Sequence, residues 1–378
     1  MQDKLIFLIG PPRSGSTLLM RMLSTHSQIF SRPEPHLLTP LAHLGVYDNV
    51  DHAPFDQLQA AQATREFIAD LPGGEADYLD ALRAYCEVLY GRMLSTQDKP
   101  YFLDKTPANA LILPFLAKVF PEARYIVLTR NPCSVWDSYA ESFFDGDTQA
   151  AYDFNPVLER YVPAMAAFLR EKPVDLVHVR YEDVVTEPEE QLKRIYAHIG
   201  VPHEPDTVNY GAKQPAVTGG LGDPIGVSQH KKPVTSSLEK WARNTVADPA
   251  RLDLLQRIIA NLDPADVRTW GYDPDTLFEP IDRVDAAEAR AKLEAKRRKD
   301  RFDRYKMQRR VLVLLRRNMD GTALGRLVLK TRFLCDVLLR GAGRGFSIYR
   351  DHRYGQPRGA SEAPLGQATG LEGADLDG

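Results

Sequence analysis

The chain has 378 residues, 43 % hydrophobic and 26 % charged, an ordinary globular mixture that excludes a disordered, collagenous or coiled-coil main body. Its net charge of −3 conceals a segregation, because residues 1–285 hold 27 basic and 40 acidic side chains whereas residues 286–358 hold 21 and 7. No apolar run approaches the ~20 residues of a membrane span, the N-terminal stretch is too short for a signal peptide, and Cys86, Cys133 and Cys335 form neither a disulfide framework nor a zinc site, so a cytoplasmic protein is expected.

Lys4–Ile9 (KLIFLI) has the character of a buried strand and runs into the turn Gly10–Gly15 and a helical stretch, Ser16–His26. A short strand is predicted at Ile29–Ser31, and Asp56–Ser95 is largely helical, a candidate cap. Tyr101–Asp104 then reads as a strand, Ala108–Val119 as a helix, Arg124–Thr129 as a strand and Cys133–Ser142 as a helix. Val174–Val179 and Glu187–Ile199 repeat the pair. This alternation predicts an α/β fold, a parallel central sheet with helices on both faces and ligands at the carboxyl ends of its strands. Residues 202–235 read as a long ordered loop and Ala286–Asp303 as a polar helix. Three parts are expected: a body over 1–285, a basic helical extension over 286–358 and a disordered tail over 359–378.

The strongest local signal is Gly10-Pro-Pro-Arg-Ser-Gly15-Ser16-Thr17, placed between a strand and a helix. It is the frame G-x-x-x-x-G-K-[ST] with Ser16 where the lysine belongs, and Arg13 offers a cation inside the loop instead. Backbone N–H groups and a helix N-terminus cradle anionic oxygens in such a frame, while the missing lysine disfavours an ordinary ATPase or GTPase. Arg130 ends a strand, where its planar guanidinium suits a phosphate, and Ser138 follows about two helical turns later.

The run Pro12–Leu19 resembles the 5′-phosphosulfate loop of sulfotransferases that use 3′-phosphoadenosine 5′-phosphosulfate (PAPS), and Arg124–Tyr139 resembles their 3′-phosphate site. The likeness covers about residues 4–245 and is closest to the protein-tyrosine and bacterial branch. It implies a P-loop-like sulfotransferase fold, PAPS as donor, its product PAP, and no metal. Arg13, Ser14, Gly15, Ser16 and Thr17 would surround the 5′ side, and Arg130 and Ser138 the 3′-phosphate. Tyr181, in Val179–Val185, would serve the adenosine side or pack structurally, and Lys232, in His230–Val234, would close over the phosphates. Glu34, 21 residues after Arg13, stands where the tyrosine branch has its catalytic base; the expectation is a carboxyl raised by burial or moderated by cations. His36 is the second candidate base or a substrate contact. Lys105 resembles the lysine that stabilises the bridging oxygen, a role Arg13 can share. Two departures matter: Leu18 stands where many small-molecule enzymes carry tryptophan, and Ser142 where the tyrosine branch has a basic residue, so that branch's specificity for a peptide does not carry over.

The resemblance thus implies sulfuryl transfer to a hydroxyl of a carbohydrate, lipid, peptide or small metabolite. The residues leave two alternatives, a kinase with an altered loop and a non-catalytic scaffold attached to a membrane. Residues 307–345 mix apolar patches with arginines, so contact with an anionic membrane, packing on the body and homo-oligomerisation all stay open. Nucleic-acid binding is not expected.

Overall fold

The computed structural model describes residues 1–44, 46, 55–213 and 231–300. The expected amphipathic arm, the membrane-contact segment 307–345, the tail and His230 lie outside the described residues.

Five parallel strands form one sheet, β1 (Leu5–Ile9), β2 (Ile29–Pro33), β3 (Tyr101–Lys105), β4 (Arg124–Thr129) and β5 (Leu176–Arg180). Their spatial order is β2-β3-β1-β4-β5. β1 is buried along its whole length because both faces are covered, and its side chains alternate between two cores. Leu5, Phe7 and Ile9 enter one core together with Tyr125 and Val127, packed by the helices Glu75–Leu94, Leu113–Val119, Pro132–Phe144 and Val157–Glu171. Ile6 and Leu8 enter the other with Ile126 and Leu128, against Ser16–Ser24 and Pro188–Ile199.

The chain leaves β1 toward β2 on one side and leaves β4 toward β5 on the other. This reversal opens a crevice between the carboxyl ends of β1 and β4, where a doubly wound sheet places its ligand. Most predicted elements recur, several with ends moved by one or two residues, as β5 moves from the expected Val174–Val179 to Leu176–Arg180. β2 runs two residues longer, carried by pairing of Arg32 with Asp104 and Pro33 with Lys105. The continuous helix expected over Ala108–Val119 is instead a 3₁₀ turn, Pro107–Leu111, followed by the helix Leu113–Val119. A proline near the start of each piece, Pro107 and Pro114, favours a fresh helical start and cannot donate into a preceding turn. The stretch expected as a long loop contains the 3₁₀ turn Pro205–Asn209 and the helix Tyr210–Lys213.

Between β2 and β3 the chain forms the helices Phe55–Ala69 and Glu75–Leu94. The second buries Leu82, Cys86, Tyr90 and Leu94, one face at every fourth residue. Among the described residues no helix is long and apolar enough to cross a membrane.

Candidate functional site

The loop after β1 is built for close approach. A Cβ on Gly10 would sit 2.8 Å from the Ser14 hydroxyl and 3.0 Å from the Leu128 carbonyl. Gly15 has φ of +92°, and a Cβ there would meet the Tyr181 ring at 2.2 Å, so glycine is required on both counts. Arg13 holds φ at 70°, a left-handed conformation that costs a side-chain-bearing residue about 1 kcal/mol or more. The Ser14 hydroxyl oxygen is buried with no partner among the described residues, and no side chain caps the helix Ser16–Ser24. A buried orphan hydroxyl beside an uncapped helix N-terminus suits an anion. Ser16 is buried at the helix start and Thr17 half-buried beside it.

Across the crevice, Arg13 donates through Nε to the Ser138 hydroxyl at 3.1 Å. Arg130 donates to the Arg13 carbonyl at 3.0 Å and to the Ser237 carbonyl at 3.4 Å, and its guanidinium lies 4.4 Å from the centre of the Tyr181 ring. Its Nε is buried without a partner, and it joins no ion pair among the described residues. The Tyr181 hydroxyl is 2.9 Å from that of Ser237. The structure therefore gathers Arg13, Ser14, Gly15, Arg130, Ser138 and Tyr181, with Tyr181 in a packing position against the loop. Lys232 is exposed, and its carbonyl accepts from Tyr210 at 3.2 Å.

Several supports of this half were not legible in the motifs. The Trp270 indole donates to the Arg130 carbonyl at 2.8 Å, and the Glu182 carboxylate takes the Asn131 N–H at 3.1 Å and the Tyr272 hydroxyl. Asp137, next to Ser138, is buried against Arg251 at 2.6 Å and Asn244 at 3.0 Å. Burial raises its carboxyl despite the pull of Arg251. Asn131 caps the helix Pro132–Phe144 by accepting from the Ser134 N–H, which sets the turn between Arg130 and Ser138.

At the other half of the same edge, Glu34 follows β2 and Lys105 ends β3. The Lys105 ammonium, 1 % exposed, donates to Glu34 Oε1 at 2.5 Å, and His36 Nε2 lies 3.6 Å from Oε2. Glu34 and His36 also have positive φ, 33° and 51°. Burial pushes the Glu34 carboxyl up, but His36 and the Lys105 ammonium outweigh it and hold the group below its ordinary value. Of the two outcomes expected for Glu34, moderation by cations prevails. Tyr161, near Glu34, is pushed up to about 12, mainly by burial and in part by that charge.

Beneath this pair lies Asp104, missed in the sequence although it sits in the same Leu103–Pro107 stretch. Strand alternation turns it away from Lys105 into the core. It accepts from Tyr90 at 2.6 Å and from the Thr106 hydroxyl at 2.8 Å, and Thr106 in turn accepts the His36 N–H at 3.5 Å. Burial raises the Asp104 carboxyl while the bonds from Tyr90 and Thr106 oppose the rise. The helical spacing of Tyr90 was the one signal pointing to it.

The edge so assembled matches a known sequence pattern: residues 6–205 match the profile of the Sulfotransferase family. The chain belongs to the sulfotransferase family. Nodulation protein NoeE of Sinorhizobium fredii is 30 % identical over 51 % of this chain and 49 % of its own. Protein-tyrosine sulfotransferase A of Caenorhabditis elegans is 22 % identical over 71 % of this chain and 67 % of its own. The chain thus spans about half the length of NoeE. Among solved structures, the sulfotransferase domain of the Synechococcus PCC 7002 olefin synthase aligns with a TM-score of 0.46 and 24 % identity, over 71 % of this chain and 94 % of that one.

Proposed function

We propose that the protein moves a sulfuryl group from PAPS to an acceptor hydroxyl by in-line displacement, with Glu34 as general base. One observation carries this reading. Taken in spatial strand order, the carboxyl edge presents Glu34, Lys105, the 10–15 loop, Arg130 and Tyr181, a proton-handling pair beside a cationic cradle. Five strands spaced about 4.8 Å apart spread this row over roughly 19 Å, enough for a nucleotide donor and an acceptor side by side.

The residues fit the donor. Ser14 Oγ and Arg130 Nε are buried polar atoms without partners among the described residues, and both belong to groups suited to anionic oxygens. Ser14, Gly15, Ser16 and Thr17 would hold the 5′-phosphosulfate, Arg130 and Ser138 the 3′-phosphate, Tyr181 the adenosine side and Lys232 the outer phosphates. When bound, PAPS supplies an electrophilic sulfur with a phosphate as leaving group. Glu34 accepts the proton of the acceptor hydroxyl, and His36 together with the Lys105 ammonium favours its ionised form beforehand. As the proton arrives, the Lys105 ammonium loses its counter-charge. Its positive charge, with that of Arg13, would then be available to the leaving-group oxygen, so that proton uptake and leaving-group stabilisation would be coupled through one ion pair. His36 orients Glu34 or contacts the acceptor. A relative named for protein tyrosine supports a hydroxyl acceptor.

The test is thermal stability with PAP against ADP and against ATP with Mg²⁺. PAP near 100 times its dissociation constant is expected to add about 2.7 kcal/mol, a gain that Arg130→Ala removes. A shift with ATP and Mg²⁺ and none selective for PAP would overturn the reading in favour of a kinase.

A further inference from the structure

Of the six large hydrophobic side chains exposed among the described residues, four, Phe67, Tyr85, Val88 and Leu89, lie on the helices Phe55–Ala69 and Glu75–Leu94. The face of Glu75–Leu94 opposite its buried residues carries an ordered pattern. At 3.6 residues per turn, Asp77, Ala81, Ala84, Tyr85, Val88 and Arg92 fall within an arc of about 100°. All six are exposed, and Tyr85 and Val88 keep 50 % and 59 % of their surface. Gly91, on the flank, has open space where a Cβ would point. An apolar stripe with small residues at one end, large ones at the other, and opposite charges at its two tips is complementary to itself when reversed.

We infer that a second copy of this chain docks on this face, the two copies of Glu75–Leu94 running antiparallel about a two-fold axis between residues 84 and 85. That register pairs Ala81 with Val88, Ala84 with Tyr85 and Asp77 with Arg92, each pair occurring twice. Small residues thereby receive large ones, as knobs enter holes, and both charged tips meet the opposite sign. Such a contact is isologous and closes at two copies. One acidic and one basic tip leave the stripe without the net negative charge that would recruit the basic segment 301–358, and without the positive charge that an anionic membrane selects. The seam is about 22 Å long, one helix against one helix, so the dimer is a weak one in the micromolar range.

Sedimentation velocity of the full chain, from about 1 to about 500 µM, tests this. The unaltered protein is expected to pass from monomer to dimer across that range, and the surface substitution Val88→Glu to hold it monomeric. Asp77→Arg and Arg92→Asp each place like charges at both tips and are expected to weaken the dimer about tenfold. An equimolar mixture of those two variants restores both pairings and should form a heterodimer as tight as the original. Asp77 also accepts from the Gly73 N–H at 2.8 Å, so Arg92→Asp is the cleaner single variant. A monomer throughout the range, a dimer indifferent to Val88→Glu, or a mixture no tighter than its components overturns the proposal. Protection of the C-terminal segment from protease that Val88→Glu abolishes in a monomer would give the face to that segment instead.

Discussion

The two halves of the sheet's carboxyl edge handle charge in opposite ways. At β2 and β3 the charges are matched: Glu34 and Lys105 meet at 2.5 Å with His36 beside them. At β1 and β4, Arg130 rests on two carbonyl oxygens and the face of Tyr181, and no carboxylate pairs with it among the described residues. In the matched pair a proton taken up by Glu34 leaves the buried Lys105 ammonium without its counter-charge, whereas a cation fed by dipoles keeps its charge for an incoming anion. On the proposed reading, this contrast lets one sheet edge serve both proton transfer and anion binding without the carboxylate neutralising the cradle.

The largest expected effect breaks the matched half. Glu34→Gln keeps the shape and removes the base, so kcat should fall by about 10² to 10⁴ while PAP affinity stays near that of the unaltered protein. Turnover that survives this change, measured with radiolabelled donor and a hydroxyl acceptor, would remove Glu34 from the mechanism.

Lys105→Ala should lower the rate by about 10² to 10³ and also displace the pH profile. Without the ammonium, burial of Glu34 is opposed by His36 alone, so its pKa rises and the acidic limb of kcat/KM moves to higher pH. An unmoved limb would mean that the ion pair does not set the base. The same pair enters stability. Because folding depresses the Glu34 pKa, its contribution is present above the unfolded carboxyl value near 4.3 and lost as pH falls through the folded value.

The smallest effect concerns the cradle. Ser138→Ala removes the acceptor for Arg13 Nε, and a several-fold loss of PAP affinity with little change in kcat is expected from calorimetry and initial rates. A large loss of kcat instead would place Ser138 with the proton-handling half.

Much of this molecule was legible in its order of residues, and for physical reasons. Strands buried on both faces produce continuous apolar runs such as LIFLI and RYIVLT, and the glycine-bounded loop between strand and helix has few conformations open to it. Arg13 announced itself inside the glycine-bounded loop, Arg130 at a strand end, and Glu34 by its spacing from Arg13 in the family resemblance. The supports did not. Trp270 reaches Arg130 across 140 residues and Arg251 reaches Asp137 across 114, and such separations leave no periodic trace in the sequence.

Local sequence, then, determined the parallel sheet, the loop and the identities of the charges at its edge, because hydrophobic period and turn chemistry act over a few residues. Tertiary structure alone decided which charges are matched. Register between β2 and β3 sets Pro33 beside Lys105 and so delivers Glu34 to the ammonium, while the β1–β4 crevice sets Arg130 against carbonyls and a ring. The sign and size of a pKa shift depend on distances between strands far apart in the chain, and only folding fixes those distances.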